Sequence, residues 1–296
     1  MAARTSRRRF LGAGAACVLG GAAVSWPGAR AAAQETLRLA FIPQENPEKL
    51  LDDITVIRDY LASEIGVPVE GFVTLDHAAA IEALRGQSAD ISFMGALPYV
   101  LARDQIGAEV LLSEVYRGKP SYVARIFVRR DSGIEAVADL AGKSIAFADP
   151  ISESGYLYPL EIVADAGLLA PGADPQSFFG RVYFAGGYQQ AIQAMANGLV
   201  DAAGVSQFAE LLLTPEQQSE IRWIAESEPI PAHAVIARPG LDPALQAKFV
   251  EAMLKLNEPA NRRLLQHVYG PDGYVRADQA AYEPVAEVAR RYGLLG

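Results

Sequence analysis

A chain of 296 residues, 51% of them hydrophobic, is long enough for two ordinary domains or one large one. Its 26 basic residues are outnumbered by 35 acidic ones, and five of the basic residues (Arg4, Arg7, Arg8, Arg9 and Arg30) fall in the first 33 positions, which hold no acid. Without that stretch 21 basic residues face 35 acids, a net charge of −14, which argues against nucleic acid or anionic lipid as a partner and requires any anion site to be built locally.

Residues 6–11, Ser-Arg-Arg-Arg-Phe-Leu, lead into an uncharged Ala/Gly-rich run and then into Ala-Arg-Ala-Ala-Ala-Gln at 29–34. A basic start, an apolar middle and small residues at a cleavage point make a secretory signal peptide over residues 1–33, and the paired arginines before Phe-Leu match the twin-arginine export pattern. Pro27 and the Gly/Ala weighting argue against retention as a membrane span. Cys17 is the only cysteine and lies inside this leader, where Gly14-Ala15-Ala16 lacks the aliphatic residue of a lipidation site. The mature chain is therefore expected to have no thiol, which excludes disulfides, thiolate metal sites and cysteine nucleophiles.

The mature chain alternates. Residues 37–42 read as a strand, 43–47 as a turn, 49–65 as an amphipathic helix with Leu50, Leu51, Ile54, Ile57 and Leu61 at helical spacing, and 67–73 as a second strand. A helix at 77–85, a strand at 90–93, a helix at 97–103 and a strand at 109–115 continue the pattern. Such alternation predicts a mostly parallel sheet with helices on both faces. A β-rich segment at 121–130 interrupts it. A second alternating run then begins: a short helix at 134–140, a strand at 144–148, a helix to 166, a strand at 181–184, a helix at 188–197, a strand at 201–205 and a helix at 207–213. Extended pieces at 221–225 and 234–237 flank a proline-containing turn, and 243–295 reads almost wholly helical.

Two α/β units joined by two extended segments predict an α/β, two-lobed protein: two doubly wound sheets joined by a two-strand hinge, with the ligand crevice between the C-terminal ends of their strands. Lobe 1 takes residues 34–120 and 229–296, and lobe 2 takes 121–228. Within lobe 2, residues 143–160 (KSIAFADPISESGYLYPL) form a strand, a break at Asp149-Pro150, two serines with a glycine, and a helix start. That is either a ligand cradle, with helix N-terminal N–H groups facing outward from the sheet, or an ordinary loop with serine caps.

The order of several motifs resembles the periplasmic solute-binding proteins of ABC transporters for phosphonate, phosphite and related oxyanions, which have the type II periplasmic binding fold. The carriers are Leu39-Ala40-Phe41-Ile42-Pro43, Asp90-Ile91-Ser92-Phe93-Met94-Gly95, Ala185-Gly186-Gly187-Tyr188, the run at 194–203, and Glu228-Pro229-Ile230-Pro231. Most specific is Asp149-Pro150-Ile151-Ser152-Glu153-Ser154-Gly155-Tyr156-Leu157-Tyr158-Pro159. The resemblance covers essentially the whole mature chain. It implies an exported, monomeric binding protein, not an enzyme, that holds a small ligand, first choice a phosphonate or phosphite, and delivers it to a membrane permease without a cofactor. Other roles for the same scaffold are a zwitterion or cation binder, a sensing partner of a membrane histidine kinase, and a periplasmic enzyme.

The resemblance places Ser152, Ser154 and the N–H groups of residues 153–155 on the ligand, with Gly155 allowing close approach. Pro159 has no N–H for the early helical ladder, so an irregular first turn is expected. Departures accompany the matches. Glu153 stands where members commonly carry a small hydroxyl residue; it reads either as a ligand contact or as a first-turn partner of the helix dipole pointing to water. A histidine of typical members corresponds to Tyr188, a tyrosine to Met94 with Tyr99 one turn onward to compensate, and an acid pair to Gln207 and His233. His233 is expected to face the cleft, and Glu45 to sit at its rim, where Asn46 reads as a helix cap. His77 and His267 read as surface residues, and no metal site is expected. No nucleophile elbow, phosphate loop or His-Glu-x-x-His is present.

Overall fold

The computed structural model describes residues 36–43 and 47–296. The expected leader with Cys17, and Glu45 with Asn46, lie outside the described residues.

The first part of the chain runs through β1 (Leu37–Phe41), α1 (Pro47–Ile65), β2 (Val69–Val73), α2 (His77–Arg85), β3 (Ile91–Met94), α3 (Ala96–Ile106) and β4 (Glu109–Val115). Local chemistry accounts for these elements. Leu50, Ile54, Ile57, Leu61 and Ile65 of α1 recur at helical spacing and are buried, whereas Leu51, also placed on that stripe from sequence, is half-exposed. Asp76 caps α2 by accepting the Ala79 N–H at 2.7 Å. Gly107 ends α3 in the left-handed region at φ 73°.

β5 (Ser121–Tyr122) then crosses over. Beyond it lie β6 (Ala124–Arg129), β7 (Ser144–Phe147), α4 (Tyr158–Asp165), β8 (Arg181–Phe184), α5 (Tyr188–Ala196), β9 (Ala202–Ser206), α6 (Pro215–Glu220) and β10 (Ile221–Glu226). The chain returns through β11 (Ile230–Pro231) and finishes with β12 (Ala234–Ala237), α7 (Pro243–Leu254), β13 (Gly273–Arg276) and α8 (Glu283–Arg291).

Among the described residues three sheets result. The first has the order β13-β4-β12-β3-β1-β2 and the second β10-β6-β9-β7-β8; the crossover strands β5 and β11 pair antiparallel in a third, with Tyr122 opposite Ile230. β3, β1 and β2 are mutually parallel, as are β9, β7 and β8. The return strand β12 inserts antiparallel between β3 and β4, so the first sheet is mixed rather than mostly parallel. Each large sheet is covered on both faces by apolar clusters, which makes this a two-lobed α/β architecture with a two-strand link. One cluster on the first sheet continues through Tyr122, Ala124 and Ile230 to Leu157 and Tyr158 of the second lobe, so the lobes share apolar contact beside the link.

Several local elements depart from the sequence reading. The stretch at 134–140 forms only a 3-10 turn at Val137–Leu140, and 207–213 only one at Ala209–Leu212. α6 follows, started by Thr214 and Gln217, which bond each other's backbone N–H groups. The C-terminal section is not all helix: β13 pairs with the edge of β4, and Asn257 accepts the Tyr274 N–H at 2.9 Å while donating to its carbonyl at 2.8 Å. α8 packs on α3 but also reaches the second lobe, through an Arg291–Glu161 ion pair and the packing of Tyr292. Among the described residues no helix is long and apolar enough to cross a membrane.

Phe147, at the end of β7, is fully buried among Tyr156, Phe179 and Phe184, with ring centroids 5.1, 6.0 and 6.2 Å away. Phe147→Ala is expected to cost about 3–5 kcal/mol of unfolding free energy, read as a lower midpoint in chemical denaturation.

Candidate functional site

β7 ends where the turn of greatest interest begins. Asp149 accepts the Ile151 N–H at 2.9 Å, and its carbonyl accepts from Ser152 at 3.1 Å. The helix then starts as a single π-type turn, Glu153–Leu157, before α4 takes over. Pro159 is the physical cause. It has no N–H to give Gly155, so the Gly155 carbonyl instead accepts the Ala148 N–H at 2.9 Å and ties the turn back to the strand end. Gly155 is required by space: a Cβ there would lie 2.6 Å from the Ala148 Cβ and 2.8 Å from the Ser152 Oγ. The Ser152 Oγ accepts the Gly155 N–H at 3.0 Å.

Around this turn the side chains converge. The Tyr188 hydroxyl, from the first residue of α5, lies 3.2 Å from the Ser152 Oγ and 3.0 Å from the Ser154 Oγ. Glu153 does not point to water. It is 0% exposed, and its carboxylate reaches across to the first lobe, where its Oε2 accepts the Leu97 N–H at 3.3 Å. That N–H belongs to the first turn of α3, whose dipole favours a negative charge there. Gly95 makes the approach feasible, because a Cβ at that position would overlap both carboxylate oxygens. β5 and the residue that follows the return strand β11 by two positions supply the remaining contacts. The Tyr122 hydroxyl donates to Glu153 Oε1 at 2.6 Å, and His233 Nε2 lies 3.8 Å from the same oxygen. On its other side His233 Nδ1 is 3.3 Å from Glu114 Oε2, which also accepts from the Tyr116 hydroxyl at 2.8 Å.

The electrostatics follow from this burial. Desolvation works against a charge on His233, but its hydrogen bond to Glu114 and the charges of Glu114 and Glu153 outweigh it and raise its pKa above 6.5. His77, at the start of α2, is lowered from 6.5, with burial outweighing the pull of Asp149 and Glu153. Burial, reinforced by the Glu153 charge, pushes the Tyr122 and Tyr188 phenols up, so both remain protonated donors. Two cavities lie beside the contacts of Glu153, which itself lines neither. One, of about 320 Å³, is lined from both lobes and the crossover by Tyr116, Arg117, Tyr122, Tyr188, Phe208 and Tyr269 among others. The other, of about 20 Å³, is bounded by His77, Asp149, Ser152, Gly187 and Tyr188.

Of the residues singled out from sequence, Ser152, Glu153, Ser154, Gly155, Tyr188 and His233 meet at this point. Others do not. Tyr99 is fully buried against Tyr282 at 4.8 Å between centroids, with Arg103 5.9 Å over its ring, so it packs α3 on α8 instead of compensating at the site. Met94 is buried in the core opposite Ala234 and lines neither cavity. Gln207 braces the link, its side chain accepting the Val123 N–H at 3.0 Å and its own N–H donating to the Val123 carbonyl at 3.0 Å. His77 is buried at the small cavity, not on the surface, and His267 pairs with Asp53 at 2.6 Å. Glu114, Tyr116, Tyr122, Phe208 and the Leu97 N–H were not foreseen. Their only sequence signal is proximity to the crossover segment and to strand ends. Among the described residues no group of three or more His, Cys, Asp or Glu is placed to hold a metal ion.

Two lobes, a paired-strand link and a turn of hydroxyls at the strand ends define a type II periplasmic binding protein. The chain belongs to the family described as "ABC transporter, phosphonate, periplasmic substrate-binding protein", whose model matches residues 39–282. It is 32% identical to the phosphate-import protein PhnD of Mycolicibacterium smegmatis, over 57% of this chain and 54% of that protein. It is 28% identical to the phosphonates-binding periplasmic protein of Escherichia coli, over 79% of this chain and 70% of that one. In fold it is similar to PhnD1 from Prochlorococcus marinus, solved in complex with methylphosphonate, with a TM-score of 0.77 at 17% identity over 88% of this chain and 99% of that one.

Two outcomes test this geometry. Gly95→Ala is expected to displace the Glu153 carboxylate from α3 and destabilise the protein by about 1–3 kcal/mol, while Gly95→Ala combined with Glu153→Ala recovers part of the loss in a double-mutant cycle. The histidines have opposite signs. Because the folded pKa of His233 is raised, its stabilisation is complete below 6.5 and is lost as pH rises through the folded value. The deficit of His233→Gln in urea unfolding should therefore shrink as pH rises from 6.5 through the raised folded value. Because the folded pKa of His77 is lowered, it costs stability as pH falls below 6.5, and His77→Gln should be relatively more stable at the acid end.

Proposed function

We propose that this protein is an exported solute-binding protein that captures a small phosphonate-class ligand between its lobes and hands it to an ABC permease in the inner membrane. The observation that carries the reading is the convergence on one turn, Ser152 to Gly155, of groups from both lobes and the link: Tyr188, the Leu97 N–H, Tyr122 and His233. A ligand at such a point would contact both lobes at once, and that differential contact is what would favour closure over opening.

On this reading lobe 1 comprises residues 34–120 and 229–296, lobe 2 comprises 121–228, and bending occurs at β5 and β11. Ser152, Ser154 and Tyr188 contact the ligand from lobe 2, with His233 at the hinge. Residues 1–33 direct export to the periplasm by the twin-arginine route, where the protein acts as a monomer. Family membership supports the periplasmic binding role and the permease partner.

The reading is tested by thermal unfolding of the full chain with methylphosphonate, phosphite, phosphate esters and aminoalkylphosphonates. A ligand at about 100 times its Kd adds about 2.7 kcal/mol of apparent stability, a plain upward shift in Tm. Ser154→Ala is expected to weaken binding by roughly tenfold, measured by calorimetry, since a lost hydrogen bond to a buried group costs ~1–2 kcal/mol. A chain that no member of these compound classes stabilises would overturn the proposal.

A further inference from the structure

The N-terminus of α3 is completed by a residue of the other lobe. Its cap position is Gly95, which has no side chain to offer the first-turn N–H groups. Glu153 takes that role across the lobe boundary. Its Oε2 accepts the Leu97 N–H at 3.3 Å, and its Oε1 accepts the Tyr122 hydroxyl proton at 2.6 Å, with His233 Nε2 3.8 Å away. The carboxylate also stands at the end of a row of hydroxyls, since the Ser154 Oγ lies 3.1 Å from the Tyr122 hydroxyl and 3.0 Å from that of Tyr188. Glu153 and Ser154 are both 0% exposed.

A helix N-terminus, a phenol and an imidazole facing one point are donors that suit a small oxyanion, and here a carboxylate of the chain itself holds them. That carboxylate also makes the kind of contact a cleft ligand would make. It is anchored in the second lobe and bonded to the first, and contacts made to both lobes at once favour closure. A group on a short tether competes at an effective concentration on the order of millimolar, and a ligand that must displace it loses apparent affinity in proportion. A bare oxyanion exchanges with the carboxylate bond for bond and gains little. An oxyanion carrying a substituent gains more, because the substituent can enter the cavity of about 320 Å³ that Tyr122, Tyr188 and His233 help to line.

We propose that the Glu153 carboxylate is a tethered competitor for the oxyanion end of the ligand: it holds the lobes together through α3 and Tyr122, and it selects organic phosphonates with a substituent over inorganic phosphate. This deepens the proposed function and rests on its reading of the cleft as the ligand site. Ligand entry then exchanges one inter-lobe contact for another, with Glu153 leaving the Leu97 N–H and the Tyr122 hydroxyl as the oxyanion takes them.

The test is calorimetry on the full chain with inorganic phosphate and propylphosphonate. The unsubstituted chain should prefer propylphosphonate, and Glu153→Ala should bind phosphate roughly tenfold or more tightly than the unsubstituted chain does. Glu153→Gln, which keeps the shape of the side chain, should show a smaller gain of the same sign and serves if Glu153→Ala fails to fold. Adding Gly95→Ala to Glu153→Ala should remove the gain, because the new methyl group occupies the place of the carboxylate. Acetate, a free copy of the lost group, should raise the Tm of Glu153→Ala and leave that of the unsubstituted chain unmoved. Phosphate bound no more tightly by either Glu153 variant, or preferred to propylphosphonate by the unsubstituted chain, would overturn the competitor; continued binding of propylphosphonate would then leave the cleft as the ligand site. Absence of binding of both probes by every chain would overturn both.

Discussion

The buried carboxylate of Glu153 is the constraint on which the arrangement of this protein depends. It starts on the second lobe and ends at the first turn of α3 in the first lobe, with Tyr122 of β5 and His233, between β11 and β12, on its flanks. A charge taken fully out of water is tolerated only where donors and opposite charge meet it. That requirement explains several features at once: why residue 95 is glycine, why the α3 N-terminus faces the second lobe, and why a histidine of raised pKa stands in the link.

The turn that presents Glu153 is shaped by a missing proton. Pro159 cannot donate to Gly155, the freed carbonyl is taken by Ala148, and the helix opens with a wider turn. That turn points Ser152 and Ser154 at Tyr188 while Glu153 projects toward the other lobe. In a family described by its phosphonate-binding role, this chain places a buried carboxylate at the turn. Of the phenols that line the large cavity, Tyr116 and Tyr122 give their protons to Glu114 and Glu153.

The link between lobes is more than two strands. Gln207 braces Val123, an apolar cluster runs from α3 to Tyr158 beside β5 and β11, and α8 extends from the first lobe to Glu161 and Tyr292 on the second. Any bending at the crossover would have to preserve or exchange these contacts.

Much of this was legible in the sequence. Alternating periods of two and 3.6 residues, punctuated by Gly and Pro, determined most of the order of strands and helices, and the two extended segments between the alternating runs pointed to two lobes and a paired link. The order Asp149-Pro-Ile-Ser-Glu-Ser-Gly marked the site, and Pro159 forecast its irregular first turn. Local patterns carry that information because hydrogen-bond ladders and turn geometry are set by near neighbours. They do not carry direction across the fold. Tyr99 stands one turn from Gly95, and only the packing of α8 decided that it meets Tyr282 rather than the cleft. His77 had no partner at sequence spacing, yet the sheet order brought it to Ser152 and Tyr188. Glu153 could face water or protein on its helix turn alone; the choice was made by the N-terminus of a helix 56 residues away in the chain, because a buried charge goes where distant backbone can neutralise it.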